Sequence, residues 1–75
     1  MNQDANTTNS RTPLDSWLFN SRVVRGDLAE RCGRTKQWLS IQVGAAFVSP
    51  ENRILIINGL EDLGHVVTEG EVFGQ

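Results

Sequence analysis

Residues 28–40 of this 75-residue chain, LAERCGRTKQWLS, carry the most specific structural pattern in the sequence. Leu28, Ala29 and Cys32 recur at the spacing of one helix face. Gly33 follows directly, where helices commonly end on a left-handed residue, a conformation that glycine adopts without strain. Two helices that cross over so short a turn need a small side chain where they touch, and Ala29 supplies it. The stretch therefore predicts a helix, a tight turn and a second helix.

The second of these helices is expected to begin after its N-cap, Thr35, and to end at Gly44. Leu39 is the residue of this helix that reaches back into the core. The remaining positions are then available to face outward, namely Lys36, Gln37, Ser40, Ile41 and Gly44.

Capping signals organise the rest of the chain. Thr12-Pro13 and Ser49-Pro50 each place a capping side chain before a proline, which is favoured at the first helical position. The predicted helices run from Pro13 to about Ser21, from Arg25 to Cys32, from Thr35 to about Val43, and from Ser49 to a stop at Gly64. The predicted fold is all-α, a small bundle of four to five helices around residues 13–64, preceded by a flexible polar arm at residues 1–12.

Three segments leave the prediction open. In the last helix Ile54, Ile57, Leu60 and Leu63 recur with a period near three, but the run ILII, residues 54–57, is also compatible with a strand. The loop before it is expected to send Phe47 and Val48 into the core. The C-terminal extension, HVVTEGEVFGQ, residues 65–75, is expected to be a short β-hairpin, a strand that pairs with a partner chain, or a disordered tail.

The composition excludes several classes of protein. No unbroken apolar run is longer than four residues, whereas a membrane-spanning helix needs about 20, and the N-terminus lacks the apolar core of a signal peptide. A single cysteine cannot form an internal disulfide and fits a reducing cytoplasm. Metal-ligand spacing, a nucleophile–base pair and a phosphate-binding loop are all missing from the sequence, so we expect no enzyme, metal, cofactor or small-molecule ligand.

The charges are distributed unevenly, although the net charge is only −2. Residues 22–36 hold five basic and two acidic side chains, whereas residues 51–75 hold one basic and five acidic side chains. Because the local field matters more than net charge for attracting a polyanion, the basic middle of the chain is compatible with nucleic-acid binding.

Together with its flanking helices, the stretch resembles the helix-turn-helix of Cro/repressor-type (XRE-like) DNA-binding regulators, which are found in bacteriophages and bacterial operons. The resemblance runs from Leu14 to Gly64 and is carried by Leu28-Ala29, Gly33, Thr35, Leu39, Ser49-Pro50 and Leu63-Gly64. Gln42 stands where the family usually buries an aliphatic side chain, so Val43 or Ile41 is expected to take that place.

The resemblance implies that the third helix lies in the major groove of double-stranded DNA. It implies that Lys36 donates to guanine, Gln37 pairs with adenine, Ser40 contacts either base and Ile41 touches a thymine methyl. It also implies phosphate contacts, which give affinity rather than sequence reading, by Arg22, Arg25, Arg34, Thr35, Asn52 and Arg53.

The function implied is that of a sequence-specific transcriptional regulator, a phage Cro-like repressor that occupies an operator as a homodimer joined through its tail or last helix. Two alternatives stay open. In an excisionase-like winged-helix architectural protein, ILII and HVV would be wing strands. In a helix-turn-helix-derived protein-binding module, an antirepressor or an inhibitor, the acidic C-terminal third would carry the interaction.

Overall fold

The computed structural model describes residues 12–74, which form five helices and, within that range, no strand. In chain order the helices are α1 (Pro13–Asn20), α2 (Arg25–Cys32), α3 (Lys36–Gly44), α4 (Pro50–Asp62) and α5 (Glu69–Phe73). The all-α prediction and the bounds predicted for the first four helices are confirmed to within a turn. The arm predicted at residues 1–12 lies outside the described residues, apart from Thr12.

Local capping explains where three helices begin. The hydroxyls of Thr12, Thr35 and Ser49 accept hydrogen bonds from the backbone N–H three residues later, over 3.1, 3.0 and 3.3 Å respectively. Each bond satisfies an N–H group that has no partner inside the helix. Thr12 also donates its hydroxyl proton to the carbonyl of Val43 over 2.6 Å, which ties the start of α1 to the end of α3.

The turn between α2 and α3 has the predicted geometry. Gly33 adopts φ 72°, a left-handed conformation that costs glycine no steric strain. The N–H groups of Gly33 and Arg34 donate to the carbonyls of Glu30 and Ala29 over 3.1 and 3.0 Å, which closes the end of α2. Thr35 then caps α3, so only three residues separate the two helices.

Two sets of helix contacts build the core. α2 packs against α4 and α3, while α1 packs against α5 and α3. The largest fully buried side chains come from all five helices and are Leu14, Leu18, Leu28, Leu39, Ile56, Leu60 and Val72. Because α3 is held from one side by both α1 and α2, its opposite side is left at the surface.

The buried face of α4 agrees with the prediction at Leu60, and Ile57 and Leu63 pack partly buried against the core, but Ile54 departs from it. Ile54 is 53% exposed, whereas Ile56, Gly59 and Leu60 are buried. A helix turns every 3.6 residues, so a strict three-residue repeat moves off the core side within two turns. Gly59 lies where α4 meets α2: a Cβ atom built there would be 2.9 Å from Sγ of Cys32. The glycine allows the two helices to approach closely.

The prediction of a C-terminal strand or hairpin is wrong, because residues Glu69–Phe73 form α5. Thr68 and Glu71 make a capping box: the Thr68 hydroxyl accepts from the Glu71 N–H, and the Glu71 carboxylate accepts from the Thr68 N–H. Val72 is completely buried. The cap and this burial outweigh the β-propensity of the neighbouring valines, since the strand propensities are weak and depend on context.

The winged-helix alternative is contradicted as well. Its two expected wing strands were ILII and HVV, but ILII lies inside α4 and residues 65–67 form an irregular connection without strand pairing.

The loop between α3 and α4 corrects one more prediction. Val48 is buried, as expected, but Phe47 is 67% exposed. Two adjacent apolar side chains in an extended segment point to opposite sides, so the core can take only one of them.

Candidate nucleic-acid interface

α3 presents one face to solvent and one to the core. Its buried side chains are Leu39 and Val43, which attach the helix to the hydrophobic core. The exposed side chains are those predicted to contact bases, namely Lys36, Gln37, Ser40 and Ile41. They lie four residues apart in two neighbouring rows, because side chains at i and i+4 share a helix face. The structure thus brings all four together on one surface.

Gln42 stands where the resemblance expects a buried aliphatic side chain, and Val43 rather than Ile41 is the neighbouring aliphatic residue that α3 buries. Val43 is buried and Ile41 is 62% exposed. Gln42 is half-buried, and its side-chain oxygen accepts a hydrogen bond from the Asn52 amide of α4 over 3.3 Å. Asn52, predicted to contact phosphate, is therefore engaged in joining α4 to α3.

Two of the predicted phosphate ligands lie at the surface on either side of α2. Arg34 is exposed in the turn before α3, with its guanidinium carbon 5.9 Å from the ring centroid of the half-buried Trp38. Arg22 is exposed between α1 and α2 and adopts φ 59°. Positive φ is uncommon outside glycine, asparagine and aspartate, so Arg22 is a costly residue at this position. Thr35 is exposed, and its hydroxyl caps α3.

Two other predicted phosphate ligands make contacts within the fold. Arg25 donates to Asp15 over 2.6 Å, a short charge-assisted bond between α2 and α1. The side chain of Arg53 is only 14% exposed, and its Nε donates to the carbonyl of Val48 over 2.8 Å.

Arg53 also lies between two aromatic rings. Its guanidinium carbon is 5.0 Å from the centroid of Phe47 and 5.5 Å from that of Phe73, distances at which a cation is attracted to a ring face. Nη1 is 3.5 Å from a carboxylate oxygen of Glu69. Arg53 therefore connects α4 to the α3–α4 loop and to α5, and these contacts occupy its guanidinium within the fold.

Cys32 and His65, the side chains most often associated with metal or redox chemistry, also make contacts within the fold. Cys32 is buried, and its thiol donates to the carbonyl of Leu55 over 3.3 Å. Burial raises the pKa of the Cys32 thiol, an effect that the charge of Arg34 partly offsets. The His65 ring meets Trp17 edge to face at 5.6 Å. Within residues 12–74, no group of three His, Cys, Asp or Glu side chains is arranged to hold a metal ion.

The distribution of carboxylates along the sequence marks this surface, a signal that the net charge of the chain does not reveal. No carboxylate occurs between Glu30 and Glu51, a segment that covers the end of α2, the turn, α3 and the loop after it. Its charged residues are Arg31, Arg34 and Lys36. An interface for a polyanion is expected to lack carboxylates, because each would repel phosphate.

Comparison with protein-family models, with curated proteins and with solved structures gave no match. Among the described helices, none is both long enough and apolar enough to cross a bilayer. The candidate interface is thus defined by the outward face of α3 together with two exposed arginines, Arg34 in the turn before α3 and Arg22 in the connection before α2.

Proposed function

We propose that this chain is a sequence-specific DNA-binding regulator of transcription, a Cro-like repressor that acts by occupying its operator as a homodimer. The observation that carries the proposal is the outward face of α3, where Lys36, Gln37, Ser40 and Ile41 are exposed together in a segment without carboxylates. These side chains suit the donors, acceptors and methyl groups of the major groove. The helix-turn-helix spacing at residues 28–40 supports the same function.

The homodimer follows from the size of the interface. α3 has nine residues, and a single helix of that length reaches only a few base pairs. Two copies related by a two-fold axis read two half-sites, which gives the affinity and specificity that one copy lacks. Ile54 of α4 and Val66 of the tail are both exposed, and we propose that the two copies meet around one of these apolar side chains.

The test is to select bound sequences from a random double-stranded DNA library at two salt concentrations. We expect a pseudo-palindrome with half-sites about one helical turn apart, and an affinity that falls steeply with salt. Gln37→Ala should relax one base position in each half-site, at a cost of about 1–3 kcal/mol. Asn20→Ala, which removes an exposed amide from α1, is the matched control and should leave the selected sequence unchanged. Retention of no DNA even at low salt would contradict the proposal.

Arg22 gives an independent prediction, because replacing it with glycine should relieve backbone strain and at the same time remove a proposed phosphate contact. Stability and DNA affinity should therefore change in opposite directions. Arg22→Gly should leave the free energy of unfolding unchanged or raise it by up to about 1 kcal/mol, since glycine tolerates φ 59°. The same change should weaken binding to all DNA sequences and reduce the salt slope of affinity by about one. Urea unfolding and DNA titrations at several salt concentrations measure the two effects. A variant that binds DNA with the slope of the original protein would remove Arg22 from the interface.

A second function, that of a protein-binding module such as an antirepressor or an inhibitor, is favoured by one observation. Four acidic side chains of the last third are each exposed, namely Glu61, Asp62, Glu69 and Glu71. Such a surface suits a basic protein partner. This function predicts no salt-dependent retention of DNA, so the selection experiment separates the two.

A further inference from the structure

The C-terminal end of α3 is held by a residue that caps a different helix. The last four carbonyl groups of a helix have no partner inside it, and they are commonly satisfied by the residues that follow. Ala45, which follows α3, is extended at φ −80° and ψ 140°, so α3 ends without the left-handed residue that closes α2. The carbonyl of Val43 accepts instead from the hydroxyl of Thr12, 31 residues earlier, over 2.6 Å.

The Thr12 hydroxyl belongs to a short chain of hydrogen bonds between two helix ends. It accepts from the Asp15 N–H over 3.1 Å and donates to the Val43 carbonyl. A hydroxyl that donates and accepts at once is polarised by both partners, which strengthens each bond. The chain also joins the positive end of the α1 dipole to the negative end of the α3 dipole, which is electrostatically favourable. The bond therefore relates the two helices in a preferred direction.

Hydrophobic packing leaves the rotation of α3 about its own axis weakly determined. Leu39 and Val43 are the buried side chains among its nine residues, and the burial of apolar surface has no direction. Hydrogen bonds, in contrast, weaken steeply as their angles change. The other directional contact at this end, from the Asn52 amide to the Gln42 side chain, is longer at 3.3 Å. The bond from Thr12 is therefore the stronger constraint on the rotation of α3.

We propose that Thr12 is a positioning residue, whose hydroxyl fixes the orientation in which α3 presents its outward face. The orientation is a property of the free protein, whereas its effect on DNA affinity rests on the proposed function. When α3 samples other orientations, only a fraction of the molecules is competent to bind, and the apparent affinity falls by that fraction.

Substitutions at two helix N-caps separate positioning from stability. Thr12→Ser keeps a hydroxyl that both accepts and donates. Thr12→Gly removes the hydroxyl, while glycine remains an acceptable N-cap residue for α1. Thr68→Gly makes the same change at the N-cap of α5, where the hydroxyl bonds to Glu71 of that helix. It is the matched control for a loss of stability.

Residual dipolar couplings of the backbone N–H groups, measured by NMR, report the orientation of α3 relative to α2 and α4. In Thr12→Ser and Thr68→Gly the couplings of all three helices should fit one common frame, as in the original protein. In Thr12→Gly the couplings of α3 should no longer fit the frame of α2 and α4. Unchanged α3 couplings in Thr12→Gly would overturn the inference, whether or not the protein binds DNA.

Affinity for the selected operator is then measured under conditions in which every variant is folded. Thr12→Gly should bind about three- to tenfold more weakly, the factor that corresponds to one lost hydrogen bond, whereas Thr12→Ser and Thr68→Gly should bind like the original protein. An equal loss in Thr68→Gly would show that affinity follows stability, and the role of Thr12 in binding would be wrong. If the α3 couplings change but no variant binds DNA, the positioning of α3 stands and the proposed function fails.

Discussion

Replacing Gly59 with valine should remove most of the stability of this fold, and replacing it with alanine should cost about 1–2 kcal/mol. Alanine in a helix normally stabilises by about 1 kcal/mol relative to glycine. Here the new Cβ would lie 2.9 Å from Sγ of Cys32 and 3.0 Å from Cδ1 of Leu28, both buried. Overpacking of this kind costs about 1–3 kcal/mol, and the two further methyl groups of valine should raise the cost beyond about 3 kcal/mol. The total free energy of unfolding of a domain of this size is only several kcal/mol.

A matched control comes from Gly26 in α2, the helix against which α4 packs. Nothing lies within 4 Å of a Cβ at Gly26 in α2, so Gly26→Ala should stabilise the protein by about 0.5–1 kcal/mol. Urea unfolding, followed by circular dichroism, measures both variants. If Gly59→Ala stabilises as much as Gly26→Ala does, α4 does not approach α2 as closely as described.

A double mutant assigns the cost of Gly59→Ala to a named atom. Cys32→Ala removes the sulfur and leaves room for the new methyl group. The two changes together should therefore cost about 1 kcal/mol less than the sum of their separate effects. Strict additivity would show that Cys32 does not carry the clash.

Arg53→Met should destabilise the protein by about 2–3 kcal/mol and loosen α5. The methionine keeps the apolar stem but loses the hydrogen bond to Val48, the ion pair with Glu69 and the contacts with two aromatic rings. Because Glu69 is 48% exposed, the ion pair contributes little, and Glu69→Gln should cost less than about 1 kcal/mol. Urea unfolding gives the energies, and hydrogen exchange at the α5 amides reports its attachment.

Arg34→Met is the matched control for Arg53. Arg34 also lies over an aromatic ring, that of Trp38, but it is exposed, so its loss should change stability by no more than about 0.5 kcal/mol. In DNA binding Arg34→Met should have the larger effect of the two variants, and it should reduce the salt dependence of the affinity. A stable Arg53→Met that binds DNA with one phosphate contact fewer would return Arg53 to the interface that the resemblance implied for it.

The sequence was most informative where a few neighbouring residues decide the outcome. Thr12-Pro13 and Ser49-Pro50 predicted the starts of α1 and α4, and Gly33-Arg34-Thr35 predicted the turn before α3. The same kind of signal was present at Thr68–Glu71, where it predicts α5, but the valines before it favoured a strand. That error came from giving side-chain propensity more weight than a cap.

The first four helices, the turn between α2 and α3 and the carboxylate-free segment could therefore be established from the sequence alone, because caps, glycine conformations and charge act over a few residues. Only the tertiary structure decided that Val43 is buried and Ile41 exposed, that Val48 enters the core while Phe47 does not, and that Arg53 is held inside the fold. Each of these outcomes depends on where two helices distant in sequence cross. Whether a side chain is buried depends on the surfaces that pack together in the folded chain. The local backbone accommodates a buried and an exposed side chain equally well, so neighbouring residues alone do not distinguish them.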